Sequence, residues 1–380
     1  MISVYLVVFL TVYQTSAFNA NNVIRNTELE FAFLTHRHGD RTPVPSGLPV
    51  AMSEKMLDLI TPWGYGQLTD AGKRTGYKTG EFIRRRYGEL LSPKYNNSEI
   101  YIRSTDSKRT QMTVLTAMAA VYPATVNNWS ENINWDPVPY TTVPAKYDFN
   151  TAFVNCPKLT SYSNAAFVQP SPRMDKYSGV LAKVSDALGF DFTKVPNLAY
   201  AIYDLLVSER NLGFDIGKEL TELMPELRLA ANEAMDVIYG NDDYIALQAG
   251  VLLNEFFKYA KQITNGTNAQ RVRVYSAHDI NVYSLESVSQ VKHRQGVPEF
   301  GSVFSLELRR MVKTGEYVVV PVYLPSPYET EIYLPVKNCG LPCGLDKFLE
   351  ITSKYLLDVD TWRTKCGFTD DIVIDSGSID

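Results

Sequence analysis

Apolar and polar positions along this chain fall into stretches with different periods. Phe31-Ala32-Phe33-Leu34 is an unbroken apolar run and reads as a buried strand. The pairs Gly39-Asp40 and Thr42-Pro43 then turn the chain into a loop. Thr69 is placed to cap a helix running to about Arg86. Within it Gly72, Gly76 and Gly80 recur every four residues on one face. Each glycine weakens a helix, so the stripe predicts a backbone lying close against the sheet. Arg84-Arg85-Arg86 reads as a solvated helix end, where cations suit the dipole. Ile100 to Ser104 reads as a second strand. Asp106 is predicted to cap a helix in which Met112, Leu115, Met118 and Ala119 share a face, stopped by Pro123.

From about residue 130 the texture changes. Prolines and aromatics dominate 135–175. Helical periods follow at Tyr177, Val180, Leu181, Val184 and Leu188, then at Leu198, Ala201, Ile202, Leu205 and Leu206. A long helix from about Asp243 to Ile263 is predicted to return the chain to the sheet. Arg271 to Ser276 alternates as a strand does and ends at Ala277-His278-Asp279. Ser302 to Arg310 and Tyr317 to Tyr323 form a predicted hairpin about the Lys313-Thr314-Gly315 turn. Repeated strand–turn–helix units predict an α/β fold with a mainly parallel central sheet flanked by helices. We expect the α/β domain in residues 18–129 and 251–380, with a smaller, mainly helical lobe inserted at 130–250.

Composition changes this picture little. The 380 residues are 45% hydrophobic and 21% charged, as in ordinary globular proteins. A formal net charge of −5 argues against a general nucleic-acid binder. An anionic substrate stays open, because local arginines decide that. Residues 1–17 carry no charged side chain; an apolar core at Ile2 to Leu10 precedes small residues ending at Ala17. This reads as a secretory signal peptide cut near Ala17. No later apolar stretch reaches the roughly 20 residues that span a membrane. Four cysteines, Cys156, Cys339, Cys343 and Cys366, fit an oxidising compartment and allow three pairings. Sequons at Asn96, Asn128 and Asn265 are candidate glycosylation sites if the chain is secreted.

The chemistry concentrates in Arg37-His38-Gly39-Asp40-Arg41-Thr42-Pro43. At the end of a strand in an open α/β sheet, such residues project where ligands bind. Guanidinium forks suit tetrahedral oxyanions, and a neutral imidazole is a good nucleophile. Two further strand ends carry Arg103 and His278-Asp279. No metal or cofactor is required, and no metal-ligand cluster is visible.

The string Arg37 to Pro43 resembles the signature of the histidine acid phosphatases, a branch of the phosphoglycerate-mutase-like superfamily. His278-Asp279 and Tyr101 to Asp106 resemble the family's other motifs, and the likeness runs from about residue 28 to 366. The resemblance implies that His38 is the nucleophile and Asp279 the proton donor. It implies that Arg37, Arg41, Arg103 and His278 hold phosphate. It also implies disulfides Cys156–Cys366 and Cys339–Cys343; a further bridge of vertebrate relatives lacks its cysteines here. His36 departs from the usual pattern and is assigned a structural role; His293 is assigned to a surface loop. The expected activity is that of a secreted or lysosomal acid phosphatase on small phosphate monoesters, without a membrane anchor. A homodimer is compatible with it. The alternatives are a phytase or lipid-phosphate phosphatase of the superfamily, or an inactive phosphate-binding relative.

Overall fold

The computed structural model describes residues 23–44, 48, 50, 53–125, 129–267 and 269–374. The expected signal peptide and Asn128 lie outside these residues. Strand β1 (Thr27–Arg37) is longer than its apolar run and continues into the motif. It pairs in parallel with β4 (Val272–Ala277) on one side and antiparallel with β5 (Val303–Met311) on the other. Beyond β4 lie β2 (Ile100–Ser104) and the short edge strand β3 (Thr141–Thr142), both parallel. Beyond β5 the sheet continues antiparallel through β6 (Tyr317–Leu324), which carries β7 (Ile332–Tyr333) and β8 (Cys343–Gly344). The order is β3-β2-β4-β1-β5-β6-β7. The fold is thus mixed α/β, with a central sheet whose parallel strands are flanked by helices.

Both faces of β1 are covered, which is why its core reads as continuous rather than alternating. Leu29, Ala32 and Leu34 pack with Phe82, Ile83, Val114 and Met118 of α2 (Asp70–Tyr87) and α3 (Lys108–Val121). Phe31 and Phe33 pack on the other face with Phe256 and the remaining helices. The preceding α1 (Glu54–Ile60) is capped by Ser53. Between β3 and β4 the chain forms α4 (Ala152–Asn155), α5 (Pro157–Val168), α6 (Ser178–Leu188), α7 (Ala199–Asn211), α8 (Lys218–Tyr239) and α9 (Asp242–Thr264). After β4 comes α10 (Asp279–Val288); α11 (Leu345–Thr352) and α12 (Val359–Cys366) close the chain.

Three local expectations need correction, the first being that Arg86 at the end of α2 is not solvated but pairs with Glu307 at 2.6 Å and Glu331 at 3.1 Å. Thr69 does cap α2, accepting from the Gly72 N–H. The glycine stripe behind it does not meet the sheet, however. Gly72 lies against the backbone of Asp40, while Gly76 and Gly80 lie against Thr113, Thr116 and Ala117 of α3. The close approach is therefore helix to loop and helix to helix. Asp106 does not cap α3 either. That helix starts after Ser107, and Asp106 instead accepts from the Gln111 side chain at 3.1 Å. The disulfides pair Cys156 with Cys366 and Cys339 with Cys343.

Candidate active site

The register of the parallel strands brings three strand ends level. Arg37 pairs with Ala277, and Arg103 pairs with Tyr275. Just beyond, the His38 N–H donates to the Ala277 carbonyl at 3.0 Å and the Thr105 N–H to the Ser276 carbonyl at 3.1 Å. His38, His278, Asp279 and the arginines are therefore gathered from segments up to about 240 residues apart by backbone pairing alone.

His38 is 2% exposed and His278 4%. Their ring centroids lie 5.6 Å apart, edge to face, and Phe300 flanks His38 at the same distance. His38 Nδ1 lies 2.8 Å from the Gly39 carbonyl, which can only accept. Nδ1 thus carries the proton and Nε2 keeps its lone pair. His278 Nδ1 lies 3.3 Å from Arg109 Nη2, a group that can only donate. Its proton is therefore on Nε2, which meets Thr105 Oγ1 at 3.1 Å. A phosphate oxygen bound through His278 would take that N–H over from Thr105. Burial pushes both imidazoles well below the usual histidine range, aided by the charges of Arg109, Arg37 and Arg41.

Each arginine is held by acceptors within the protein. Arg37 donates through Nη1 to the Pro298 carbonyl at 2.8 Å and through Nη2 to Asp204 at 2.7 Å. Its guanidinium lies 4.1 Å over the Phe300 ring. Arg41 donates to the other oxygen of Asp204 at 2.6 Å and to Ser208 at 3.2 Å. Arg103 pairs with Asp148 at 2.6 Å and lies 4.5 Å over Phe149. The Nε atoms of Arg37, Arg41 and Arg103 are buried with no hydrogen-bond partner among the described residues. Asp279 begins α10, directly after His278 at the N-cap. Its Oδ2 lies 3.0 Å from Arg37 Nη2 and accepts from Tyr200 Oη at 3.0 Å. Burial works to raise Asp148, to about 6, against its pairing with Arg103. Burial also acts to raise Asp204, but the guanidiniums of Arg41 and Arg37 hold it down at about 2.

The structure thus brings Arg37, His38, Arg41, Arg103, His278 and Asp279 to the ends of adjacent strands, all of them buried except the part-buried Asp279. His36 also is buried, with Nδ1 3.1 Å from the Arg37 carbonyl, and His293 is exposed. Sequence reasoning missed Arg109, Asp148, Tyr200 and Asp204. Arg109 stands six residues after Arg103, on the first turn of α3, where its position toward β4 is not legible. Tyr200, Asp204 and Ser208 were the findable signal: three polar residues spaced by four along one face of a helix whose core positions Ala199, Ile202, Leu205 and Leu206 are apolar.

Fixed guanidiniums, a neutral imidazole with a free nitrogen and a nearby carboxyl can together bind a tetrahedral oxyanion, attack it and protonate a leaving group. Residues 28–291 match the histidine phosphatase superfamily (branch 2), with the motif near the start of the match and His278-Asp279 near its end. The chain belongs to that family. Among its relatives, the prostatic acid phosphatase of Mus musculus is 31% identical over 349 residues, covering 89% of each chain. The prostatic acid phosphatase of Homo sapiens is 30% identical, over 89% of this chain and 88% of that one. The venom acid phosphatase Acph-1 of Apis mellifera is 28% identical, over 85% and 84% respectively. A solved phytase of Citrobacter braakii shares the fold, with a TM-score of 0.64 at 12% identity, covering 89% of this chain and 99% of that one.

Proposed function

We propose that this chain is an acid phosphatase hydrolysing phosphate monoesters through a phosphohistidine on His38. Arg37, Arg41 and Arg103 hold the phosphoryl oxygens and offset their charge, most usefully as it redistributes in the transition state. His38 Nε2 attacks phosphorus in line. The Gly39 carbonyl keeps Nδ1 protonated and accepts from it as the ring becomes cationic. Asp279 gives its proton to the departing oxygen, then as a carboxylate takes one from the water that splits the phosphohistidine. Phosphate leaves, and His38 is regenerated.

The single observation that carries this reading is His38 itself: buried beside His278, its Nδ1 bonded to Gly39, which leaves the lone pair on Nε2. It also supplies a reason for acid operation. A free imidazole is largely protonated below about pH 6.5 and cannot attack. Burial and neighbouring cations keep this one neutral there. The relatives named as acid phosphatases favour simple monoesters over phytate as the substrate class. The uncharged apolar start, the two disulfides and the exposed sequon residues Asn96 and Asn265 support secretion, with glycans at those asparagines. Among the described residues no helix is long and apolar enough to cross a membrane. In this reading residues 130–250 form the inserted lobe, whose α7 borders the site.

The test is rapid quench with a labelled aryl phosphate, followed by peptide mapping. An acid-labile, base-stable label on the peptide holding His38 is expected. His38→Ala should lose at least about a thousandfold in rate, while His36→Phe keeps most activity. A label elsewhere, or the opposite ranking of the two variants, removes His38 as the nucleophile.

A further inference from the structure

Helix α7 presents Tyr200, Asp204 and Ser208 to the site at a spacing of four. Its other side is apolar, with Ala199, Ile202 and Leu206 in the core. A carboxylate set among such positions is costly to bury unless it is paired. Asp204 divides its pairing between two cations: Oδ1 takes Arg37 Nη2 at 2.7 Å and Oδ2 takes Arg41 Nη2 at 2.6 Å. Each guanidinium has a second anchor, Arg37 on the Pro298 carbonyl and Arg41 on Thr42 and Ser208. Two anchors fix the plane of a guanidinium, so its remaining donors point in set directions. Without the shared carboxylate, two like charges held close together would repel and lose that common orientation.

The geometry points to Asp204 as a positioning residue that locks Arg37 and Arg41 into one oxyanion-binding fork. This rests on the reading of those arginines as phosphate ligands. Asp204 acts through them, and its role is distinct from those of the nucleophile and the proton donor. The two guanidiniums keep it ionised in mild acid, where the fork therefore stays held. Removing its charge has two opposed effects. It leaves the site more positive, which favours an anion. It also frees the fork and turns an amide N–H toward an arginine N–H. We expect the loss of orientation to dominate.

The experiment compares wild type, Asp204→Asn, Asp204→Glu and Arg41→Ala. It reads kcat and KM for nitrophenyl phosphate and Ki for inorganic phosphate, with folding checked by circular dichroism. Asp204→Asn is expected to raise KM and Ki together by about tenfold or more, with a smaller fall in kcat. Asp204→Glu keeps the charge one methylene further out and is expected between wild type and Asp204→Asn. Unchanged or lowered KM and Ki in Asp204→Asn, with Arg41→Ala impaired, overturn the inference alone. If Arg41→Ala keeps its phosphate affinity, the reading of the arginines falls and the inference with it. Should Asp204→Asn not fold, Asp204→Glu decides: no rise in either constant overturns the role.

Discussion

Neighbouring histidines in one motif show how little residue type alone decides. His36 and His38 are both buried, yet their rings meet different surroundings. His36 sits within β1, pushed down to about 4 by burial, with its Nδ1 at the Arg37 carbonyl. His38 lies one residue past the strand, where its ring reaches His278 and Phe300. Asp279 is placed with equal care, between Arg37 and Tyr200. If it protonates the leaving group, its value depends on how much that group needs a proton. An alkyl alkoxide is a poor leaving group and a nitrophenolate a good one. Asp279→Asn should therefore slow the phosphorylation step far more for alkyl phosphates than for nitrophenyl phosphate. Pre-steady-state rates with the two ester types measure this, and equal losses would remove Asp279 as the acid.

Among the elements, α2 and α3 set the height of the motif loop. Gly39 and Gly72 meet backbone to backbone, and the Gly39 N–H donates to Thr113 on α3 at 3.1 Å. Thr75 of α2 and Asn211 of α7 both donate to Asp40, at 2.5 Å each, so the loop is tied from two sides. Gly80 continues the same contact, its Cα lying against the Ala117 carbonyl. In a solvated helix Gly→Ala gains up to about 1 kcal/mol. Here the added methyl would overlap backbone, and overpacking of this kind costs about 1–3 kcal/mol. Gly80→Ala should therefore lower the denaturant midpoint rather than raise it. A rise would mean that the two helices separate at little cost.

Across the whole molecule, the Cys156–Cys366 bridge closes the largest loop. It joins residues 210 apart in sequence and pins α12 to the start of α5. Chain entropy alone assigns such a closure about 5 kcal/mol. A second global lever is Glu286 on α10, fully buried, with Oε1 accepting from the Gln295 N–H at 2.8 Å. Burial raises its carboxyl to about 8. A folded pKa above the unfolded value of about 4.5 gives stability that is present below that pH and lost as pH rises toward 8. Glu286 taken alone therefore favours the folded state more in mild acid than in mild base. Glu286→Gln has no charge to bury, so its advantage over wild type should grow from pH 5 to pH 8. Melting temperatures across that range measure it, and a constant difference would mean that Glu286 does not titrate there.

Much of the site was legible along the chain because it is local. Arg37 to Pro43 and His278-Asp279 are contiguous strings at the ends of apolar runs, and Arg103 ends a third. Strand ends are fixed by short-range pattern, and parallel pairing then levels them without further information. The disulfide pairing came through resemblance, since four cysteines alone leave three choices. What only the tertiary structure decided is which distant groups meet those strings. Asp204 and Tyr200 stand in a helix whose period says merely that one face is buried. Asp148 follows a proline-rich stretch with no regular period, and α8 carries Pro225 inside it, a residue that sequence rules read as a break. The glycine stripe announced a close approach but not its partner. Periodicity fixes the direction in which a side chain leaves its own element. The partner is set by the packing of elements far apart in sequence, which a local pattern does not encode.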